Sequence, residues 1–550
     1  MVEIISDAVF RLHCRVVVVV SCLCLLQLLH PSEATARKDR PKGKQIELVH
    51  ADKVTYDQFR NGDMQIFTGN VSFHHDGVFL HCDSANFYQT TNSFESFGHV
   101  RMLQGDTISL TGDYLYYDGN AQIAQARRNV VLKHRQTTLY TDSLNYDRVY
   151  GQGYFFEGGK LLDEGMILTS DWGQYETGTR QSKFNYHVKL TGEDYVIHSD
   201  TLYYNTISKL AHLAGPSNIL SGSSHIYTEN SDFNTVTKQA ILLDRSVIVD
   251  NDKQMIGDSV VYDKVSGISK AFYNIVFHDK TNKNIFLGDY FTYNDSTGYA
   301  LAYGNAQVKN YSEQDTLFLH ADTFQLYTYN IRTDSVYRVL HGYYHVRSFR
   351  EDIQSVADSM IYHSADRTLI LYGNPIVWNE NRQILGEEIQ VFFNDSTMDS
   401  IYIINQALMA ERLDSIYYNQ VAGNVMKIFF DGQNIKENRV IGNVLINYFP
   451  YDSDSIMTGM NYAETSLLRL FMENKKIKRI WTREVTGTFY PLAMVEAPKL
   501  YLPQFVWFDY MRPKDKFDIF IWQSKAAGTE LKKTVRREAP FQTLPSSKQQ

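Results

Sequence analysis

The sequence predicts an all-β protein made of stacked antiparallel repeats, and three observations carry that prediction. An acidic residue recurs along the chain at a nearly fixed interval. Apolar residues alternate with polar ones after it, and a second segment of each repeat opens with a glycine or asparagine. A repeat of 20 to 50 residues is typical of stacked supersecondary units, each packing on its neighbours.

The acidic residue marks the start of each repeat, and its spacing is roughly 29 residues. Five successive intervals between Asp113 and Asp258 are 29 residues each. The complete series is Asp52, Asp83, Asp113, Asp142, Asp171, Asp200, Glu229, Asp258, Asp289, Asp322, Asp358 and Glu387. Each precedes a strand, where a carboxylate can accept hydrogen bonds from nearby backbone amides. A residue needed once per repeat is expected to be structural.

The strand after each acidic residue alternates between apolar and polar positions. Because side chains alternate faces along a strand, the residues two and four places after the acid share one face. An antiparallel sheet covered on one side has this pattern. The positions predicted to form a continuous inward ladder are Phe87, Leu115, Tyr117, Leu144, Tyr146, Leu202, Tyr204, Val260, Tyr262, Phe291 and Tyr293.

The second part of each repeat opens with a turn pair followed by apolar residues. Gly69-Asn70, Gly98-His99, Gly304-Asn305, Gly373-Asn374 and Gly442-Asn443 are examples. Glycine and asparagine tolerate the positive φ that tight connections between strands require. Each repeat is therefore predicted to be strand, turn, strand.

Composition excludes several classes of protein. Of the 550 residues, 13% are aromatic and only 11 are proline. This composition is typical of a β-rich protein and unlike that of a disordered chain. The net charge of −8 is spread along the sequence and offers no basic surface for nucleic acid. After residue 40 no apolar run is long enough for a membrane helix.

Residues 1–36 have the features of a secretory signal peptide. Arg11 and Arg15 precede an apolar run, residues 16–29, and Ala34-Thr35-Ala36 forms a small-residue cleavage site. A membrane anchor and a lipoprotein signal with Cys22 acylated remain alternatives. Cleavage would leave one of the four cysteines, Cys82, so no internal disulfide is expected in the mature chain.

The remaining organisation follows the regularity of the repeats. Residues 37–45 form a charged linker, residues 46–330 the regular repeats, and residues 331–500 an irregular continuation in which the spacing lengthens. About 13 repeats are expected in total. An aromatic cap is predicted at 501–523 and a disordered tail at 524–550.

No catalytic or cofactor motif is present. His74, His75, His81, Cys82 and Asp83 bring metal-binding residue types close together, but their spacing matches no zinc signature. The nucleotide-binding, hydrolase and metalloprotease motifs are absent. The sequence therefore predicts a protein that is not an enzyme and that needs no cofactor or metal.

The repeats resemble the organic-solvent-tolerance protein A family, the LptA-like proteins of lipopolysaccharide transport. The likeness lies in residues 50–57, His-Ala-Asp-Lys-Val-Thr-Tyr-Asp, in residues 67–71, Phe-Thr-Gly-Asn-Val, and in the blocks at Asp83, Asp113, Asp142 and Asp258. The resemblance implies an all-β fold of the LptA type, a repetitive antiparallel β-jellyroll or β-taco solenoid. It also implies a groove in which acyl chains are buried.

What the resemblance implies for function is a periplasmic conduit that binds lipopolysaccharide or a similar amphiphile on its way to the outer membrane. The eleven residues of the inward ladder would then line a lipid groove. The expected partners are that amphiphile and other β-jellyroll transport components, or a second copy of the chain, joined by pairing of edge strands. The chain differs from short family members in its greater length, and nothing after residue 500 resembles the C-terminal barrel of the outer-membrane member.

Three other interpretations remain open. A transmembrane β-barrel also alternates polar and apolar faces. A parallel β-helix acting on polysaccharide would require a cluster of carboxylates on one exposed face. A structural or adhesive exported repeat protein would have the same fold without lipid transport.

Overall fold

The structure is a computed structural model that describes residues 44–56, 62–312, 315–394, 397–432, 434–473 and 476–529. The predicted signal peptide lies outside these residues, as do residues 37–43 of the predicted linker and residues 530–550 of the predicted tail. The described chain divides into two compact units. Unit 1 contains Met1–Glu164 and Trp172–Arg180, and unit 2 contains Gly165–Asp171 and Gln181–Gln550.

Unit 1 consists of antiparallel strands. They are β1 (Glu47–His50), β2 (Lys53–Tyr56), β3 (Met64–His75), β4 (Val78–Tyr88), β5 (Ser93–Gln104), β6 (Ile108–Asp118), β7 (Ile123–His134), β8 (Thr137–Asp147), β9 (Gln152–Phe155), β10 (Gly159–Asp163) and β12 (Trp172–Glu176).

Unit 2 contains both short strands of four or five residues and long strands of ten to fifteen residues. They are β11 (Met166–Ser170), β13 (Gln181–Thr191), β14 (Val196–Asn205), β15 (Leu210–Ser221), β16 (Ser224–Asn234), β17 (Gln239–Leu242), β18 (Ser246–Asp250), β19 (Lys253–Gly257), β20 (Ser259–Asp263), β21 (Ile268–Asp279), β22 (Asn284–Asn294), β23 (Tyr299–Tyr303), β24 (Gln307–Asn310), β25 (Leu317–His320), β26 (Thr323–Tyr329), β27 (Tyr337–Phe349), β28 (Ile353–His363), β29 (Thr368–Tyr372), β30 (Ile376–Asn379), β31 (Arg382–Leu385), β32 (Glu388–Phe393), β33 (Met398–Arg412), β34 (Tyr418–Asp431), β35 (Asn434–Tyr448), β36 (Gly459–Glu473), β37 (Lys476–Arg483) and β38 (Thr486–Pro491). Four short 3-10 helices follow, at Leu492–Met494, Ala497–Lys499, Asp509–Met511 and Asp518–Phe520. No helix in the described part of the chain is long and apolar enough to cross a membrane.

Each long strand is bent by a bulge near its middle. The ladder between β3 and β4 shifts register between Thr68 and Val71, and equivalent shifts recur in the later long strands of both units. An inserted residue bends a strand sharply and increases its local twist. We call the line of bulges the crease. It divides each strand into a half in sheet A, such as residues 64–68, and a half in sheet B, such as residues 71–75.

In both units the two sheets face each other across a shared interior. In unit 1 the ring of Phe73, on sheet B, stacks on that of Phe94, on sheet A, with centroids 4.6 Å apart. In unit 2 Phe277 and Phe291 make the same kind of contact at 5.3 Å. Antiparallel repeats that fold over an apolar interior are those of an LptA-like β-jellyroll, so the predicted fold class is confirmed.

The crease explains the glycine in the repeat. Gly98 has a φ of +72°, and a Cβ at this position would lie 2.3 Å from the carboxylate of Asp83. Gly69 has a φ of +80°, and its Cβ would lie 2.2 Å from the carboxylate of Asp52. Glycine is therefore required twice, for its backbone conformation and for the space beside it.

The recurring carboxylates lie along the crease and hold the bulges. Asp83 shares a hydrogen bond of 2.8 Å with Nδ1 of His99, and Asp289 accepts one of 2.9 Å from Asn305. The predicted bond to a backbone amide occurs at Asp142, which accepts from the nitrogen of Asn129 at 3.1 Å. The structural role is as expected, but at Asp83 and Asp289 the partner is a side chain of the next bulge. The acid and the bulge residue are thus two halves of one contact.

A third layer covers part of unit 2. The C-terminal segment, residues 497–526, runs along the outer face of sheet B. Elsewhere that face is solvated, as at Lys133, but here Trp378 and Ile376 are completely buried on it. These side chains pack with Leu502 and Phe508 of the C-terminal segment. Strands β30 and β31 are therefore buried on both faces and do not show the alternation seen in the regular repeats.

Glutamine side chains bind the backbone of the C-terminal segment. Gln383 donates to the carbonyl of Val506 and accepts from the nitrogen of Phe508, both at 2.8 Å. Gln420 does the same with Leu500 and Leu502, also at 2.8 Å. These buried amides satisfy the backbone of a segment that forms no strand, as burial requires.

Candidate functional site

All eleven residues of the predicted inward ladder lie on sheet A and face the interior of their unit. Most are almost fully buried, and the remaining three, Phe87, Tyr262 and Tyr293, are half-buried. The fully buried ones are Leu115, Tyr117, Leu144, Tyr146, Leu202, Tyr204, Val260 and Phe291. Side chains therefore fill the space between the sheets along much of both units.

Large and small side chains alternate across strands β6, β7 and β8 of sheet A. Ala126 is in register with Leu115 on one side and with Leu144 on the other. Ala124 lies in the same way between Tyr117 and Tyr146. The two alanines of β7 make room for the large residues on either side, so the interior closes there without overpacking.

Sheet B forms the other wall of the interior, and its inward residues are not among the eleven residues of the predicted ladder. Its inward residues are nearly all aliphatic and occupy alternate positions, after the bulge in one strand and before the bulge in the next. In unit 1 they include Leu80, Met102, Leu110, Leu132 and Leu139, and in unit 2 Leu190, Ile197, Ile219 and Ile226. The alternation that follows each glycine or asparagine pair, and that precedes each recurring acidic residue, was visible in the sequence and could have identified them.

The interior of unit 1 opens at its N-terminal end. A cavity of about 290 Å³ is lined by Ile46, Leu48, Val54, Gln65 and three phenylalanines. All but one of its lining residues are apolar, and its volume is near the lower end for small-molecule sites. The edge strands β1 and β2 border it, and both pair with β3. We call this cavity the mouth.

A polar network closes the edge of unit 1 opposite the crease. His75 Nδ1 lies 2.8 Å from the hydroxyl of Tyr117 on the other sheet, and that hydroxyl accepts from Arg148 at 2.6 Å. Arg148 also donates to the carbonyl of Asp76, and Lys44 pairs with the Asp76 carboxylate at 3.3 Å. Burial lowers the pKa of His75. The ring is therefore neutral at pH 7.

The same pairing occurs again along unit 1. His134, from sheet B, lies 2.9 Å from the hydroxyl of Tyr175, from sheet A. Burial lowers the pKa of His134 and raises that of Tyr117. Neutral histidine–tyrosine pairs therefore connect the two sheets near their open edge without placing a charge in the interior.

The residues considered as metal ligands are not assembled into a site. Cys82 is buried in the interior, and burial raises its pKa to about 12, so it stays a thiol. His75 is bonded within the network above, and Asp83 is bonded to His99 at the crease. Among the described residues no three histidine, cysteine or acidic side chains are placed to hold a metal ion.

Two segments of the chain match known protein families. Residues 43–200 match the OstA-like protein family. Residues 287–397 match the family described as LptA/(LptD N-terminal domain) LPS transport protein. No curated protein matches the chain in sequence.

Among the solved structures that are similar to this chain is LptH. It is described as the LptA homologous periplasmic component of the conserved lipopolysaccharide transport device from Pseudomonas aeruginosa. It is 12% identical, and the match covers 18% of this chain and 75% of that chain at a TM-score of 0.17. An overlap at that TM-score supports no comparison of the two molecules.

The two family matches cover residues 46–200 and 287–330 of the regular repeats and residues 331–397 of the irregular continuation. These matches agree with the family resemblance that the repeated sequence blocks indicate. In these two segments, residues 43–200 and 287–397, the chain is OstA/LptA-like.

Proposed function

We propose that this protein binds lipopolysaccharide, or a similar amphiphile, between its two sheets and takes part in its transport through the periplasm to the outer membrane. The eleven residues of the sheet A ladder are the proposed acyl-chain contacts. The observation that carries the proposal is the continuity of the apolar interior from strand to strand within each unit.

The chemistry of this interior suits an acyl chain. Each methylene removed from water contributes about 0.8 kcal/mol, whichever repeat contains it. Because successive repeats present similar side chains, neighbouring positions should have similar affinity. A lipid can then move along the array without meeting a deep minimum.

The filled interior implies that the lipid must displace side chains or separate the sheets. The bulged crease is continuous in the chain, whereas among the described residues the opposite edge is joined by contacts that involve side chains, such as those of Gln122, Arg148 and Lys44 with Asp76. We therefore propose that the sheets separate at that edge. The mouth, where Leu48 and Val54 are already exposed, is the proposed starting point.

The edge strands are proposed as docking surfaces. Strands β1 and β2 are short and carry exposed apolar residues, among them Val49 and Tyr56. An exposed sheet edge can accept a strand from another chain. The proposed partners are other β-jellyroll transport components or a second copy of this protein, with residues 1–36 as the export signal.

Lipid extracted from the protein, purified from its native envelope, tests the proposal. Mass spectrometry should identify lipopolysaccharide or a related amphiphile. Leu48→Asp should lower the amount recovered, because it places a charge at the mouth. Tyr140→Asp, at an exposed outward position of β8, should leave it unchanged. Absence of any bound amphiphile in the wild-type protein would contradict the proposed function.

A further inference from the structure

At the open edge of unit 2, one carboxylate is held between two lysines that come from the opposite sheet. Asp194 lies in the turn between β13 and β14, at the end of sheet B. Lys238 and Lys264 lie in turns at the ends of β16 and β20, in sheet A. Lys238 pairs with Asp194 at 3.1 Å, and Lys264 pairs with its other oxygen. The three side chains therefore bridge the two edges of the interior.

Further contacts fix both lysines in this position. Lys264 donates to Ser221 at 2.9 Å, and Ser221 donates to the carbonyl of Asp194 at 3.2 Å. The ammonium group of Lys238 lies 4.4 Å from the centre of the Tyr195 ring. Hydrogen bonds from Lys264 and Lys238 hold the pKa of Asp194 below its usual range. The carboxylate is thus a charged group between two cations.

An apolar environment lies on either side of this bridge. Below it, Tyr195 is buried and packs edge-on against Phe233 of sheet A, with centroids 4.8 Å apart. Beside it, Val236 and Val265 are exposed at the tips of the same two turns, with 64% and 79% of their surface accessible. Cations at an opening, above an aromatic interior and beside apolar tips, match an amphiphile with an anionic headgroup.

We propose that Lys238 and Lys264 form a binding site for the phosphate of an amphiphile headgroup, and that Asp194 occupies this site until the lipid displaces it. The assignment rests on the proposed function, which it deepens by naming the headgroup contact. Phosphate carries more charge and more acceptor oxygens than a carboxylate and can bond both ammonium groups. The lipid's acyl chains would then enter between the sheets beneath Tyr195.

The bridge is weak enough to be displaced. All three side chains are partly exposed, between 23% and 43% of their surface, and exposed ion pairs contribute at most about 1 kcal/mol each. Release of Asp194 also removes the polar connection between the two edges at this place. Binding of the headgroup therefore displaces the Asp194 carboxylate, and the same displacement favours separation of the sheets.

The test is binding of bisphosphorylated lipid A, and of the same lipid without phosphates, to the full-length protein. Lys238→Gln with Lys264→Gln should weaken binding of the phosphorylated lipid by about fivefold or more, since two charge contacts are lost. Binding of the dephosphorylated lipid should not weaken. Asp194→Asn should strengthen binding of the phosphorylated lipid, because the lysines are released. Lys478→Gln, at an exposed ion pair with Glu473, is the matched control and should have no effect.

The outcomes separate this site from the proposed function. If the wild-type protein binds both lipids and the double variant loses neither, the headgroup site is wrong and the proposed function stands. If the wild-type protein binds neither lipid, both fail. Inorganic phosphate that competes as strongly as the phosphorylated lipid would show a free-anion site and overturn the lipid assignment. The midpoint of thermal unfolding of each variant should stay within about 4 °C of the wild-type value, because each lost ion pair contributes at most about 1 kcal/mol.

Discussion

Leu202→Ala is the change that examines the interior most directly. Leu202 is completely buried in sheet A, in register with Phe184 on β13 and Leu213 on β15. Truncation to alanine removes three carbon atoms from a filled site, about 2.4 kcal/mol at 0.8 kcal/mol per methylene. The residual cavity adds to this loss, so the free energy of unfolding should fall by about 3 kcal/mol.

Tyr203→Ala is the matched control, since Tyr203 is the next residue and points outward. It is 42% exposed and contacts Lys183 and His212 on neighbouring strands. Loss of those surface contacts should lower stability by less than about 1 kcal/mol. Urea unfolding of the two variants, followed by hydrogen exchange in β13–β15, gives the comparison. Equal destabilisation by both substitutions would refute the alternation of faces.

Three further predictions concern the crease, the open edge and the C-terminal segment. Gly98→Ala should destabilise the protein by clearly more than Gly77→Ala. Both glycines have a positive φ, but only Gly98 lacks room for a Cβ. Similar unfolding midpoints for the two variants would contradict the steric argument. Burial lowers the folded-state pKa of His75, so its stabilising contribution should be complete above the unfolded pKa of about 6.5 and lost as the pH falls toward the folded value. The acid-induced loss should be smaller in His75→Gln, and an identical pH profile would refute this. Gln383→Ala should speed hydrogen exchange in residues 500–512, because two backbone bonds are lost, whereas exposed Gln239→Ala should not.

The repeat could be predicted from the sequence because its signals are local. The alternation of apolar and polar residues around Leu144 and Tyr146 requires only that the strand has one buried face. The glycine-asparagine pairs indicate where the backbone adopts a positive φ. Such signals recur in every repeat, so an ambiguous one is supported by its neighbours. For that reason the fold class and the inward face of sheet A followed from the residues alone.

The contacts that join distant parts of the chain could not be predicted in this way. Asp194 meets Lys264 across 70 positions of sequence, and Gln383 meets Phe508 across 125. Neither pair has a spacing or motif that marks it. In the sequence, the outer face of sheet B does not differ from an ordinary strand face, and only the structure shows that the C-terminal segment covers part of it. Tertiary packing decides these contacts.

Photo-crosslinking in living cells tests the central claim most directly, that an amphiphile passes between the sheets. Crosslinkers placed at the inward positions Leu202 and Tyr204 should capture lipopolysaccharide, and one at the outward position Tyr203 should not. The three residues are consecutive in one strand, so expression and export are closely matched. Equal labelling at all three, or none at any inward position of the ladder, would contradict the account.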